Sequence, residues 1–282
     1  MVRRVAFALT AAGAIGFALL AARVTAAEHD TTPAVRPLAL LAQNAKTDPP
    51  PQPSFECRVK SPVFEGSAPL RQVRSAIRSK RAIRVLAIGS SSTVGIGASS
   101  PVASYPVRLE NDLEGLLKGF DVEMTSRGVS GEIADAASER MKREIADVRP
   151  DLVVWQVGTN DAMARVNFDD FAHELRETLR WLASSKVDVV LIDPQYVERL
   201  AHDPEYTGIV EVIAKVASEE RVLLVNRFDT MADLAKIRGN GTYLARDQFH
   251  LNDLGYRCMA EYAARAIVAG IIEADTEAAR RN

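Results

Sequence analysis

From Arg84 onward the chain alternates between two residue patterns of different period, and this limits the folds open to it more than any other feature. Short runs rich in Val, Ile and Leu occur at 84–88, 121–125, 152–157, 187–192 and 222–225. Runs of that length and composition predict parallel strands covered on both faces. Between them lie longer stretches with apolar residues at helical spacing, 105–117, 132–148, 168–184 and 209–219, and a last helix is expected over about 252–272. Strands separated by helices predict an α/β domain of three layers, α/β/α, with a five-stranded parallel sheet. In such sheets the binding and catalytic groups collect at the carboxyl ends of the strands. Residues that directly follow strands are therefore the ones to inspect for chemistry.

The ends of the chain read differently. Arg3 and Arg4 precede an uncharged run from Val5 to Ala22, followed by the small-residue stretch Val24-Thr25-Ala26. This predicts a signal peptide over 1–26, with an uncleaved membrane anchor as the alternative. No cysteine follows the run, which excludes a lipoprotein anchor there. Either way the rest of the chain is expected outside the cytoplasm, periplasmic or secreted. Residues 27–69 carry scattered prolines without apolar periodicity and read as a tether. A short basic helix over 70–82 leads into a domain spanning 70–275, with 276–282 as a C-terminal tail.

Two cysteines, Cys57 and Cys258, lie near the two ends of that domain. In an oxidising compartment they could form a disulfide. The bridge would close a loop of about 200 residues, worth roughly 5 kcal/mol by chain entropy. Two separate buried thiols are the alternative, and two cysteines cannot build a structural zinc site. The net charge of −2 supplies no global attraction to nucleic acid. The basic stretch from Arg71 to Arg84 reads as a solvated helix face.

Four segments that follow the strands or precede the last helix carry the chemistry. Gly89-Ser90-Ser91-Ser92-Thr93-Val94-Gly95-Ile96-Gly97 is a small-residue turn after the first strand. It lacks the Lys of a phosphate-binding loop and the third glycine of a dinucleotide fingerprint. What remains is a hydroxyl cluster at the sheet edge, either a serine nucleophile or a polar turn. Arg127-Gly128-Val129-Ser130-Gly131-Glu132 precedes a helix, and its glycine can bring a backbone N–H close to substrate. Gly158-Thr159-Asn160-Asp161 sets an amide at a strand end, able to donate to a developing oxyanion. Among the four histidines, His29 lies in the tether, His173 within a helix and His202 in a polar loop. His250 follows Asp247 by three residues in a turn, a spacing that lets the carboxylate orient the imidazole. Each segment alone also reads as an ordinary turn or helix entry.

Together the four segments resemble the SGNH, or GDSL-like, hydrolase superfamily, named for Ser, Gly, Asn and His in four blocks. Gly89-Ser90-Ser91-Ser92-Thr93-Val94-Gly95 is similar to the first block, which puts Ser91 at the nucleophile position. Val129-Ser130-Gly131-Glu132 makes Gly131 an oxyanion glycine, and Gly158-Thr159-Asn160-Asp161 makes Asn160 the oxyanion amide. Asp247-Gln248-Phe249-His250 supplies the acid and the base. The resemblance covers about 84–271 and implies the flavodoxin-like fold of that superfamily. One departure is visible: Gly-Asp-Ser reads Gly89-Ser90-Ser91 here. The missing Asp supports the turn and is neither nucleophile nor base, so its absence leaves open the subfamily and which of Ser90, Ser91 and Ser92 attacks. Register with Thr93 and Gly95 selects Ser91.

The resemblance implies an exported serine esterase that cleaves a small acyl group from a carbohydrate or simple ester. The expected triad is Ser91, His250 and Asp247. The expected oxyanion hole is the N–H groups of Ser91 and Gly131 with the Asn160 amide, and neither metal nor organic cofactor is needed. Two other readings stand beside it: an O-acyltransferase acting on an envelope or secreted polysaccharide, and a non-catalytic carbohydrate-binding protein on the same fold. The expected partner is a small-molecule or carbohydrate ester, not nucleic acid, with membrane contact only if the N-terminal segment stays uncleaved.

Overall fold

The computed structural model describes residues 52–281. The expected signal peptide or anchor over 1–26 and the tether up to 51 lie outside them. Six strands form one sheet: β1 (Phe64–Glu65), β2 (Ile83–Gly89), β3 (Val122–Gly128), β4 (Leu152–Gln156), β5 (Asp188–Ile192) and β6 (Leu223–Val225). Their order is β1-β6-β5-β4-β2-β3. The five expected strands are present and mutually parallel.

The sheet departs from the five-stranded expectation by one strand. β1 pairs antiparallel with β6, Phe64 opposite Val225 and Glu65 opposite Leu224. Two residues carry no periodicity to read. They become a strand because the open edge of β6 presents unpaired backbone groups.

β2 lies between β3 and β4, so the chain leaves its first parallel strand in one direction and returns on the other side. That reversal opens a crevice at the carboxyl ends of β2 and β4. Alternation along each strand sorts the core into two layers. Val85 and Ala87 of β2 and Val154 of β4 face a cluster that includes Leu109, Tyr256 and Ile267. Leu86, Ile88 and Trp155 face the opposite cluster, with Met141, Phe171 and Ile213. Helices Arg71–Arg78, Tyr105–Leu116 and Asp253–Arg281 cover the first face, and Ala134–Val148, Phe168–Ser184 and Pro204–Glu219 the second.

Other differences from the sequence reading have local causes. The helix expected from 209 begins at Pro204, where the Asp203 carboxylate accepts from the Glu205 N–H at 3.0 Å. Helix Arg227–Arg238 was not expected, because its buried positions include Arg227 and Thr230 and blur the apolar stripe. The last helix continues to Arg281, through the expected tail, and Glu277 pairs with Arg71 at 2.7 Å.

Residues 53–69, read as the end of the tether, are docked on the domain. Cys57 is fully buried and disulfide-bonded to Cys258, 201 positions away. The Ser54 N–H donates to Glu261 Oε2 at 2.7 Å, and the Tyr262 hydroxyl donates to the Cys57 carbonyl at 2.5 Å. Prolines suppress helical periodicity without preventing docking, so composition alone could not set the domain boundary. Among the described residues no helix is long and apolar enough to cross a membrane.

Candidate active site

β2 delivers its turn into the crevice through Gly89. At φ +155° a Cβ there would lie 2.6 Å from Thr93 Oγ1 and 2.7 Å from the Gln156 carbonyl oxygen, so only glycine fits. Ser90 then caps a single helical turn, Ser91–Val94. Ser90 and Ser92 are buried at 4% and 2% exposure, whereas Ser91 is partly exposed. The Ser90 N–H and hydroxyl both donate to Gln156 Oε1, each at 3.1 Å. Ser90 is thus committed to bracing the turn. Of the three adjacent hydroxyls, Ser91 is the one turned toward solvent.

The segment before the last helix is a tight loop closed by a bridge between Leu244 and Leu251. The Ala245 N–H donates to the His250 carbonyl at 2.7 Å. Within it Asp247 Oδ1 accepts from the backbone N–H groups of Phe249 and His250, both at 3.0 Å. Its other oxygen, Oδ2, lies 2.6 Å from His250 Nδ1. Partial burial alone would raise the Asp247 pKa, but the bonds from the His250 ring and the two N–H groups outweigh it and hold the carboxyl below its ordinary value. On the far side of the ring, His250 Nε2 stands 3.0 Å from Ser91 Oγ. The Phe249 ring meets the imidazole edge-on at 5.0 Å, and Arg199 from the loop after β5 lies over Phe249 at 5.7 Å.

Two further loops approach from β3 and β4. Gly131 has φ +81° with open space around its missing Cβ, so the backbone conformation, not crowding, requires glycine. Asn160 lies in the first turn of helix Thr159–Met163 and donates from Nδ2 to the Glu132 carbonyl at 2.8 Å. That bond ties the β4 loop to the Gly131 loop and leaves one amide hydrogen uncommitted. Asp161 Oδ1 accepts from the Ala134 N–H at 2.8 Å and pins the next helix to the same loop. Burial pushes the Asp161 carboxyl up. Arg140 clamps Glu132 through Nε at 2.8 Å and Nη2 at 2.5 Å. As first residue of its helix, Ser91 has an N–H with no acceptor inside that helix.

The fold therefore brings Ser91, His250 and Asp247 into one hydrogen-bonded chain, with Gly131 and Asn160 on the loops beside it. His173 and His202 are exposed on a helix and a loop, and His29 lies outside the described residues. Sequence reasoning missed Gln156 and Asp161 as supports. Their only signal was position, at and just after the end of a strand.

The non-GDSL lipase-like family model matches residues 56–273. No protein with a curated description matches the chain. Among solved structures, the α/β hydrolase LAE5 from the Lake Arreo metagenome is 20% identical with a TM-score of 0.58, over 68% of this chain and 98% of that one. A variant of Axe2, an acetyl xylan esterase from Geobacillus stearothermophilus, is 21% identical with a TM-score of 0.57, over 67% and 96%. A two-domain esterase active on acetylated mannans is 15% identical with a TM-score of 0.62, over 74% of this chain and 55% of that one. At these identities the likeness establishes the fold.

Proposed function

The chain belongs to the non-GDSL lipase-like family, and from that membership we propose that it hydrolyses carboxylic esters through an acyl-enzyme formed on Ser91. One observation carries the reading: Ser91 Oγ, the His250 ring and Asp247 form a continuous chain of hydrogen bonds, 3.0 and 2.6 Å long. A serine hydroxyl is a weak nucleophile until a base takes its proton. His250 Nε2 is within reach to do so as Oγ attacks the ester carbonyl. Asp247 holds the tautomer with the proton on Nδ1 and stabilises the imidazolium. The negative oxygen of the tetrahedral intermediate is met by the Ser91 and Gly131 N–H groups and the free amide hydrogen of Asn160. Collapse expels the alcohol, protonated by His250. A water molecule, deprotonated by the same ring, then releases the acid and restores Ser91.

For substrate we favour a small acyl group on a carbohydrate or simple ester. Two of the structurally similar proteins are an acetyl xylan esterase and an esterase active on acetylated mannans. We also propose that the chain is exported: the Arg3-Arg4 leader pattern supports this, as does the Cys57–Cys258 disulfide, a bond that persists in oxidising compartments.

The test is a serine-directed phosphonate probe on the wild type and Ser91→Ala, followed by acyl esters of graded chain length. Labelling confined to the wild type and fastest turnover of acetyl esters are expected. Unlabelled wild type would favour a binding protein on this fold, and acylated sugar acceptors among the products would favour a transferase.

A further inference from the structure

Beneath the nucleophile turn lies a buried cation that the mechanism above does not use. Arg227 opens helix Arg227–Arg238 directly after β6 and is 1% exposed. Its Nε donates to the Asp193 carbonyl at 2.7 Å, and its Nη1 lies 3.2 Å from Ser92 Oγ and 3.8 Å from Met259 Sδ. Nη2 has no hydrogen-bond partner among the described residues. Asp193, the opposite charge that acts most strongly on Arg227, spends a carboxylate oxygen on the Phe228 N–H at 3.0 Å. The guanidinium therefore bonds a carbonyl and a hydroxyl rather than a carboxylate.

Burying a guanidinium this way is costly, and a packed apolar residue would serve stability as well or better. What the arginine reaches explains its presence. The inner side of the nucleophile turn is held at four points: Ser90 by Gln156, Ser92 by Arg227, Thr93 by the Tyr105 hydroxyl at 3.1 Å, and the Ile96 carbonyl by the Tyr256 hydroxyl at 2.7 Å. Ser92 is the immediate neighbour of Ser91, and Arg227 is the only charged group of the four. Its planar fork spans from the end of β5 to the turn, which a flexible ammonium cannot reproduce.

We propose that Arg227 is a positioning residue for the nucleophile: by holding the Ser92 hydroxyl from within the core, it fixes the rotation of the Ser91–Val94 turn and hence the aim of Ser91 Oγ at His250. This rests on Ser91 being the nucleophile. Arg227 touches no substrate, so its loss lowers kcat and leaves KM in place.

The experiment compares Arg227→Met, Arg227→Lys, Ser92→Ala and the double variant Arg227→Met with Ser92→Ala, each checked for cooperative melting. On a short aryl ester, Arg227→Met is expected to lose about ten- to a hundredfold in kcat, since small misplacements of reacting groups have effects of that order. KM should stay within about twofold, Arg227→Lys should recover only part of the loss, and the phosphonate should label more slowly in proportion. Ser92→Ala should lower kcat in the same direction, and the double variant should fall no further than Arg227→Met alone. Fully multiplying losses, or a folded Ser92→Ala with wild-type kcat, would overturn the proposal, the latter even if Arg227→Met fails to fold. Wild-type protein that the phosphonate does not label would instead overturn the nucleophile assignment itself.

Discussion

Around Ser91 the supporting groups are buried. Ser90 and Ser92 are almost closed to solvent, Gln156 and Arg227 reach them from the core, and the turn grows out of the interior strand β2. On the other side the Asp247–His250 pair itself is open: the Asp247 side chain is 47% exposed and that of His250 19%. The acid–base loop instead depends on bonds inside itself and on struts from elsewhere. Asn252 Nδ2 donates to the Thr242 and Leu244 carbonyls at 2.9 and 3.0 Å, and the Tyr243 hydroxyl reaches the Glu56 carbonyl at 2.6 Å. Glu56 is next to Cys57, whose disulfide joins the N-terminal strap to the last helix. Ser91 is held from the core, and His250 sits on a surface loop stapled from outside. Damage to the two sides should therefore look different: loss of buried partners on one, loss of tethering on the other.

The largest effect expected is that of Ser91→Ala, which should lower kcat on an aryl acetate by about ten-thousandfold or more, while His202→Ala, at an exposed position, leaves it near wild type. Steady-state assays of the two variants check both. On the base side, Asp247→Asn should cost about a hundred- to ten-thousandfold in kcat. Asp247 is held below its ordinary pKa, so it stays ionised as the pH falls through 5. An acid limb of kcat lying above that pH belongs to another group and should survive in the Asn variant. A pH–rate profile in which the limb disappears would assign it to Asp247.

Stability separates the two sides further. Replacing Cys57 and Cys258 together with Ala releases the strap, and urea unfolding should report a loss of about 2–5 kcal/mol. Gln156→Leu strands the Ser90 hydroxyl and N–H inside the protein and should cost about 1–3 kcal/mol, with kcat falling too. Tyr243→Phe should have the smallest effect, about 1 kcal/mol or less in melting experiments, with any kinetic change attributable to a looser base loop. If Gln156→Leu left both stability and kcat intact, the contrast between the two sides would not hold.

Much of this arrangement could be read in the sequence, for a reason that differs from residue to residue. Asp247 and His250 are three positions apart, so their contact is a property of one turn. Ser91, Gly131 and Asn160 follow strands whose apolar runs are plain, and parallel sheets gather such positions at one edge. Gln156, by contrast, reads as one more residue of an apolar strand, and its role appears only when β4 lies beside β2. Arg227 follows the apolar run of β6 with no pattern to mark it. The strand Phe64–Glu65 is too short for any period and exists because the edge of β6 was open.

What the sequence determined by itself is whatever depends on neighbours along the chain: the alternation of strand and helix, the serine turn, the acid–base spacing. What only the tertiary structure decided is the meeting of Ser91 with His250 across 159 positions, the exposure of Ser91 between two buried serines, and the buried and covalent supports on either side. The physical reason is that local conformation follows from short-range sterics and hydrogen bonding. Which distant side chains share a few ångströms follows from how the sheet is ordered and how its two faces are packed.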